Sequence, residues 1–250
     1  MSTVYAFSDG DSLSGGLDRF VEKLSRESIA DHGSFTVAIS GGSLPKILSK
    51  KLAYNKNVDF SKWHIFFADE RCVPHDHPDS NYLEVKKSLL DHIPSIPTEN
   101  IHTIDQNFAS QKDAEGAASE YQQQLTRYFG QSIVFDIVLL GMGPDGHCCS
   151  LFPGHPLLDE TTRLVAPIYD SPKPPPERIT LTYPVVNNAK LVVFVTAGDA
   201  KKDMVQKIIE QPELDLPCQR VKPVNGKVYW FIDHAAASLL QKEHCSDYKL

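Results

Sequence analysis

The feature that most constrains the fold is a unit that recurs along the chain: a short apolar, β-branched run that stops abruptly at a polar or glycine-bearing loop. The runs at 35–39, 64–68, 136–140 and 191–196 end respectively in Ser40-Gly41-Gly42-Ser43, Asp69-Glu70-Arg71, the 141–147 loop and Gly198-Asp199-Ala200-Lys201. Runs of this length, apolar on consecutive residues, suit strands buried on both faces. Helical spacing fills the intervals. Leu13, Leu17, Phe20, Val21 and Leu24 share one face, as do Ala117, Ala118, Tyr121, Leu125 and Tyr128, and then Met204, Val205, Ile208 and Ile209. Residues 44–52 and 81–90 predict two more helices, 228–232 a last strand, and 235–241 a closing helix. Strands alternating with helices predict an α/β fold with a mostly parallel sheet and helices on both faces, read as one domain over 1–250. Right-handed crossovers then place all four polar loops at the carboxyl edge of that sheet, where such folds bind ligands.

Composition narrows the function classes. A net charge of −7 argues against broad nucleic-acid binding, which needs Lys and Arg to neutralise phosphates. The apolar runs fall far short of the roughly 18 residues of a membrane helix, and the first sixteen residues lack a basic flank and an apolar core. The expected protein is soluble and cytoplasmic, with a nuclear fraction left open, and a monomer or weak homo-oligomer. The terminal Tyr248-Lys249-Leu250 matches a peroxisomal Ser-Lys-Leu address only in part. Five cysteines, an odd number without CxxC spacing, read as reduced thiols, and adjacent Cys148 and Cys149 with His147 make a poor zinc set.

The loops carry the chemistry. In Ser40-Gly41-Gly42-Ser43-Leu44-Pro45 the glycines permit a tight turn and Ser43 is placed to cap the next helix, leaving N–H groups for an anion. A phosphate monoester, with about −1.5 to −2 charges at neutral pH, needs cations as well, and Arg71, Arg178 and Lys201 are the candidates. The ordinary alternative for Arg71 is a salt bridge inside its own Asp-Glu-Arg triplet. Residues 141–146 satisfy GxGxxG literally, yet Pro144, Pro153 and Pro156 break the helix that a dinucleotide fingerprint must open, so no such cofactor is expected. The same loop ends in Asp145-Gly146-His147, and a histidine in a strand-end cleft can move protons near neutral pH. His147 is the candidate base. Of Asp69 and Glu70, neighbours on an extended segment that face opposite ways, Asp69 is taken as the one in the pocket. Ser150 lacks a GxSxG elbow, so water is the expected nucleophile. The stiff 171–176 stretch reads as a surface wall of a site or as a structural connection.

Taken in order, these loops, with Ser80-Asn81-Tyr82, Ser150-Leu151-Phe152-Pro153 and the 171–180 segment, resemble the 6-phosphogluconolactonase family. The resemblance runs from about Phe35 to beyond Lys201. It implies a modified Rossmann-like fold shared with glucosamine-6-phosphate deaminase, and hydrolysis of a sugar-phosphate lactone without cofactor or metal. It implies that Gly41, Gly42, Ser43, Arg71, Arg178 and Lys201 hold the phosphate and that His147, aided by Asp145 or Asp69, activates water. The chain departs from the family pattern at Cys148 and Cys149, where small or hydroxylated residues are common.

Overall fold

In the computed structural model, residues 2–249 are described; Met1 and Leu250, the last residue of the partial peroxisomal address, lie outside them. Among the described residues, ten strands and seven α-helices follow one another. They are β1 (Thr3–Phe7), α1 (Gly10–His32), β2 (Phe35–Ile39), α2 (Leu44–Leu52), β3 (Trp63–Phe67), β4 (Asp69–Arg71), α3 (Asn81–Ser88), α4 (Gln106–Ala109), α5 (Ala114–Phe129), β5 (Ile137–Leu140), β6 (Val165–Ile168), β7 (Arg178–Leu181), α6 (Tyr183–Val186), β8 (Leu191–Thr196), α7 (Lys202–Glu210), β9 (Lys227–Asp233) and β10 (Cys245–Ser246).

Seven strands form one parallel sheet in the order β10-β1-β9-β8-β5-β2-β3. Alternate residues of its central strands point into two separate cores. Val37, Ile39, Leu139 and Val193 join Leu13, Leu17 and Val21 of α1 and Leu44, Leu48 and Leu52 of α2. Ala38, Val138, Leu140 and Phe194 join Ala117, Ala118, Tyr121 and Leu125 of α5 and Val205 of α7. Burial on both faces is why these strands read as unbroken apolar runs. Caps fix the helix that opens the layer: Asp9 accepts the Ser12 N–H at 2.7 Å, and α1 stops at Gly33, whose φ of 86° is the left-handed conformation.

Beside the mostly parallel sheet that was expected stands a second, smaller one that was not. β4, β7 and β6 pair antiparallel, so the Asp69-Glu70-Arg71 segment is a strand rather than a loop. Its polar content hid it from hydrophobic periodicity. β1 also escaped the reading, although it sits between β10 and β9. Several boundaries shift by a residue or two: β3 spans Trp63–Phe67, β5 begins at Ile137, β9 spans Lys227–Asp233, and α3 ends at Ser88 before a short 3-10 turn over Leu90–His92. The helix expected at 235–241 is a run of turns. The Asp233 carboxylate accepts the Ala236 N–H at 2.8 Å, and of the following backbone bonds only Ala237 N–H to Asp233 C=O spans four residues, while Ser238 and Leu240 bond three back. This tightening prevents an α-helical ladder.

Candidate active site

Three adjacent strands of the parallel sheet, β2, β5 and β8, deliver their carboxyl-end loops to one cleft, and the small sheet closes its side. The cleft has a volume of about 190 Å³, and its lining includes Gly41, Gly42, Ser43, Asp69, Arg71, His147, Arg178 and Lys201. Of the candidate residues, only Asp145 stands outside the lining, immediately behind His147.

The β2 loop owes its course to its glycines. A Cβ at Gly41 would lie 1.9 Å from Asn81 Oδ1, and Gly42 has a φ of 77°, so both positions need glycine. Ser43 stands first before α2 but does not cap it through its side chain. Its backbone is already helical, φ −78° and ψ −15°, whereas a capping residue is extended, so the hydroxyl is not aimed at the next amides. The cap expected of Ser43 is therefore corrected. Among the described residues, the N–H groups of Gly41, Gly42 and Ser43 have no protein acceptor, and all three residues line the cleft.

On β4 the alternation of side chains separates the two carboxylates. Asp69 lines the cleft, buried, and accepts the hydroxyls of Ser40 at 2.7 Å and Ser150 at 2.9 Å. Glu70 points away and takes the N–H groups of Arg71, Asn81 and Tyr82 at 2.7–2.8 Å, with the Ser80 hydroxyl at 3.2 Å. It anchors the start of α3. Burial pushes Glu70 up to about 7, against the pull of those N–H donors. Ser150 is a buttress of Asp69 and donates nothing toward a substrate.

The antiparallel register sets Arg71 directly opposite Arg178. Like charges in that position repel. Arg71 does not pair with its own triplet; its Nη1 donates to the Asp79 carbonyl at 2.6 Å, and its buried Nε has no acceptor. Arg178, buried, donates through Nε to the Pro175 carbonyl at 3.0 Å and through Nη2 to the Lys173 carbonyl at 2.7 Å. Burial first, then the charge of Arg71, holds its pKa below the usual arginine value. Among the described residues neither arginine is in a salt bridge. Lys201, in the 3-10 turn Asp199–Lys201 after β8, donates to the Met142 carbonyl at 2.9 Å and is held low by burial and by Lys173.

The β5 loop mounts His147. No helix follows β5, in keeping with the rejected dinucleotide reading; instead Gly143 N–H donates to the His147 carbonyl at 2.9 Å, closing a tight loop. A Cβ at Gly143 would fall 2.0 Å from His147 Nδ1, so glycine there makes room for the ring. Nδ1 and Asp145 Oδ1 are 2.5 Å apart. A carboxylate on Nδ1 requires the proton there and leaves Nε2 as the basic nitrogen. Phe152 packs 4.6 Å from the ring, centroid to centroid. Burial lowers the His147 pKa, opposed by Asp145 and reinforced by Lys173.

Lys173, Asn81, Ser40 and Ser150 were not among the candidate residues. Lys173 Nζ lies 3.3 Å from His147 Nδ1 and 3.5 Å from Asp145 Oδ1. The only signal for it in the sequence was its place in the proline-stiffened wall, which here does border the site.

The sequence profile described as glucosamine-6-phosphate isomerases/6-phosphogluconolactonase matches residues 8–230. A protein of Schizosaccharomyces pombe called a probable 6-phosphogluconolactonase is 45% identical over 248 residues, 96% of each chain. The Homo sapiens 6-phosphogluconolactonase is 42% identical over 95% of this chain and 93% of its own. The solved 6-phosphogluconolactonase of Trypanosoma brucei superposes with a TM-score of 0.84 at 27% identity, covering 96% of this chain and 99% of that one. Such likeness, sustained across the loops that build the cleft, means that the chain belongs to the glucosamine-6-phosphate isomerase/6-phosphogluconolactonase family.

Proposed function

We propose that the chain hydrolyses 6-phospho-D-glucono-1,5-lactone to 6-phospho-D-gluconate, the lactone-opening step of the oxidative pentose phosphate pathway. The observation that carries this reading is the Arg71–Arg178 pair, opposed across two strands without a carboxylate partner in a cleft that also receives three unpaired N–H groups. Two opposed like charges, Arg178 buried and Arg71 half-buried, are unfavourable alone and favourable around a dianion. Gly41, Gly42, Ser43, Arg71 and Arg178 are the proposed phosphate ligands, with Lys201, which also lines the cleft, as a further cation. Anchoring the phosphate fixes the remote lactone carbon near His147, so binding energy is turned into orientation.

In the proposed step, Nε2 of His147 takes a proton from water as the water oxygen bonds to the lactone carbonyl carbon. The ring C–O bond then breaks, its oxygen takes the proton back from Nε2 and leaves as the hydroxyl, and His147 returns to its neutral form. Asp145 holds the Nδ1 proton and balances the imidazolium. Asp69, tied to two serine hydroxyls, serves by its negative charge and by shaping the wall. The whole of 1–250 is read as the functional unit, acting in the cytoplasm without a cofactor, as a monomer or weak homo-oligomer. Among the described residues, no helix is long and apolar enough to cross a membrane.

Purified protein should accelerate loss of freshly made 6-phosphogluconolactone well above its spontaneous hydrolysis and release no ammonia from glucosamine 6-phosphate. Ammonia release would replace the lactonase reading with a deaminase one. Binding of 6-phosphogluconate with no turnover of either compound would make the chain a sugar-phosphate-binding protein.

A further inference from the structure

Lys173 is the group that the proposed mechanism leaves unused, and its surroundings are specific. Its backbone is fixed twice over, by Arg178 Nη2 at 2.7 Å and the Ser171 hydroxyl at 2.8 Å, both donating to the Lys173 carbonyl. Prolines at 172, 174, 175 and 176 stiffen the segment on either side. The ammonium is thus carried on a backbone that is held in place. It is delivered to the edge of the imidazole, 3.3 Å from Nδ1 and 3.5 Å from the carboxylate oxygen that holds Nδ1.

With the Nδ1 proton donated to Asp145, the ammonium has no lone pair to meet on that nitrogen. The approach is tolerable while the ring is neutral and becomes a like-charge contact once Nε2 is protonated. We infer that Lys173 is a positioning residue that keeps His147 in its neutral, base-competent form by offsetting Asp145, and that the Arg178 clamp on the Lys173 carbonyl ties this setting to the phosphate site. The inference rests on the lactonase reading and adds a pH control to it.

The other groups around the ring do not supply this cation. Asp145 and Asp69 are acidic and favour imidazolium. Lys201 is turned to the Met142 carbonyl, and Arg178 reaches Phe152 at 5.7 Å rather than the imidazole. Cys148 and Cys149 are buried thiols with pKa values raised well above the usual, hence neutral, and Cys218 donates to the His147 carbonyl at 3.6 Å. Phe152 is uncharged. Removing Lys173 leaves two carboxylates facing the ring and no nearby positive charge of comparable approach.

The test compares the native protein, Lys173→Met and Lys173→Arg in two measurements: the acid limb of kcat/KM for lactone hydrolysis, and the NMR titration of the His147 ring. A neighbouring charge shifts a pKa by about one unit or more. In Lys173→Met both the limb and the ring titration should move up by about one pH unit, and the rate deficit should shrink as pH rises. Lys173→Arg should return both toward native values. A ring titration that stays where it is in Lys173→Met overturns the inference, as does a deficit that is uniform across pH. The ring titration needs no turnover, so absence of lactonase activity would defeat the functional reading while leaving the Lys173 coupling separately readable.

Discussion

The two sheets differ in what they bury: both bury apolar residues, but the small one also buries a cluster of charge. The central strands of the parallel sheet place Val37, Ile39, Val138, Leu139, Val193 and Phe194 against helices on both faces. The three-stranded sheet, only three or four residues per strand, buries Asp69, Glu70, Arg178 and Thr180. Apolar burial contributes stability in proportion to area and asks for no partner. A buried charge is stabilised only by partners placed around it, which is what Ser40, Ser150, Asn81 and the backbone of the 173–175 segment supply. One sheet is a platform; the other is a frame in which unfavourable charges are held ready for a ligand. His147 sits between them, on a loop of the first whose Ser150 N–H donates to Thr180 of the second at 3.2 Å.

This division can be broken by substitutions that ought to affect one function and spare the other. The largest effect is expected from His147→Ala, which should lower lactone turnover by about 10²- to 10⁴-fold, the span of general-base catalysis, while 6-phosphogluconate binding and the melting temperature stay near native. A parallel loss of binding in calorimetry would mean that His147 belongs to the phosphate frame instead. Next, Leu139→Ala in the platform should cost about 2–5 kcal/mol in denaturant unfolding, through lost burial and a cavity, with kcat of the folded fraction retained. A large fall in kcat there would show that the platform and the chemistry are not separable.

A smaller effect is expected from acid. His102 stacks on Phe66 with centroids 4.1 Å apart and lies 3.3 Å from His64 across half-buried rings beside β3, the edge strand of the parallel sheet. Burial, then the second histidine, pushes His102 down to about 4 from 6.5. The folded state therefore prefers the neutral ring: stability is fully present above 6.5 and is lost as pH falls from there through about 4, where the unfolded chain binds the proton first. The denaturation midpoint should decline over that window and His102→Phe should flatten the decline. An unchanged slope in the variant would assign the acid sensitivity to a group other than His102. The smallest effect belongs to Ser43→Ala. A true helix cap would cost about 1 kcal/mol, but this hydroxyl caps nothing, so unfolding should shift by less than about 0.5 kcal/mol while phosphate-ligand affinity weakens.

How much of this was legible follows the same division. The runs that became β2, β5, β8 and β9, and the faces of α1, α2, α5 and α7, were readable because a buried surface imposes a period on the residues that fill it. β4 and β7 were not, since Asp69-Glu70-Arg71 has no apolar residue and the alternation of Arg178-Ile179-Thr180-Leu181 lasts only four residues; their strand character comes from pairing with each other. β1 was hidden differently. Its five residues mix Thr, Val, Tyr, Ala and Phe without a clear pattern, and only its neighbours β9 and β10 define it.

By itself the sequence determined an α/β platform, the carboxyl-edge loops, and the residue types that a phosphate and a proton transfer demand. It did so because burial periods, glycine turns and charge are local properties of the chain. Tertiary structure alone decided that Arg71 faces Arg178, that Asp69 enters the cleft while Glu70 anchors α3, and that Lys173 reaches a histidine 26 residues earlier in the chain. Those facts depend on strand register and on where a proline-stiffened loop is pinned. Register is set by contacts between segments distant in the chain, which no local pattern records.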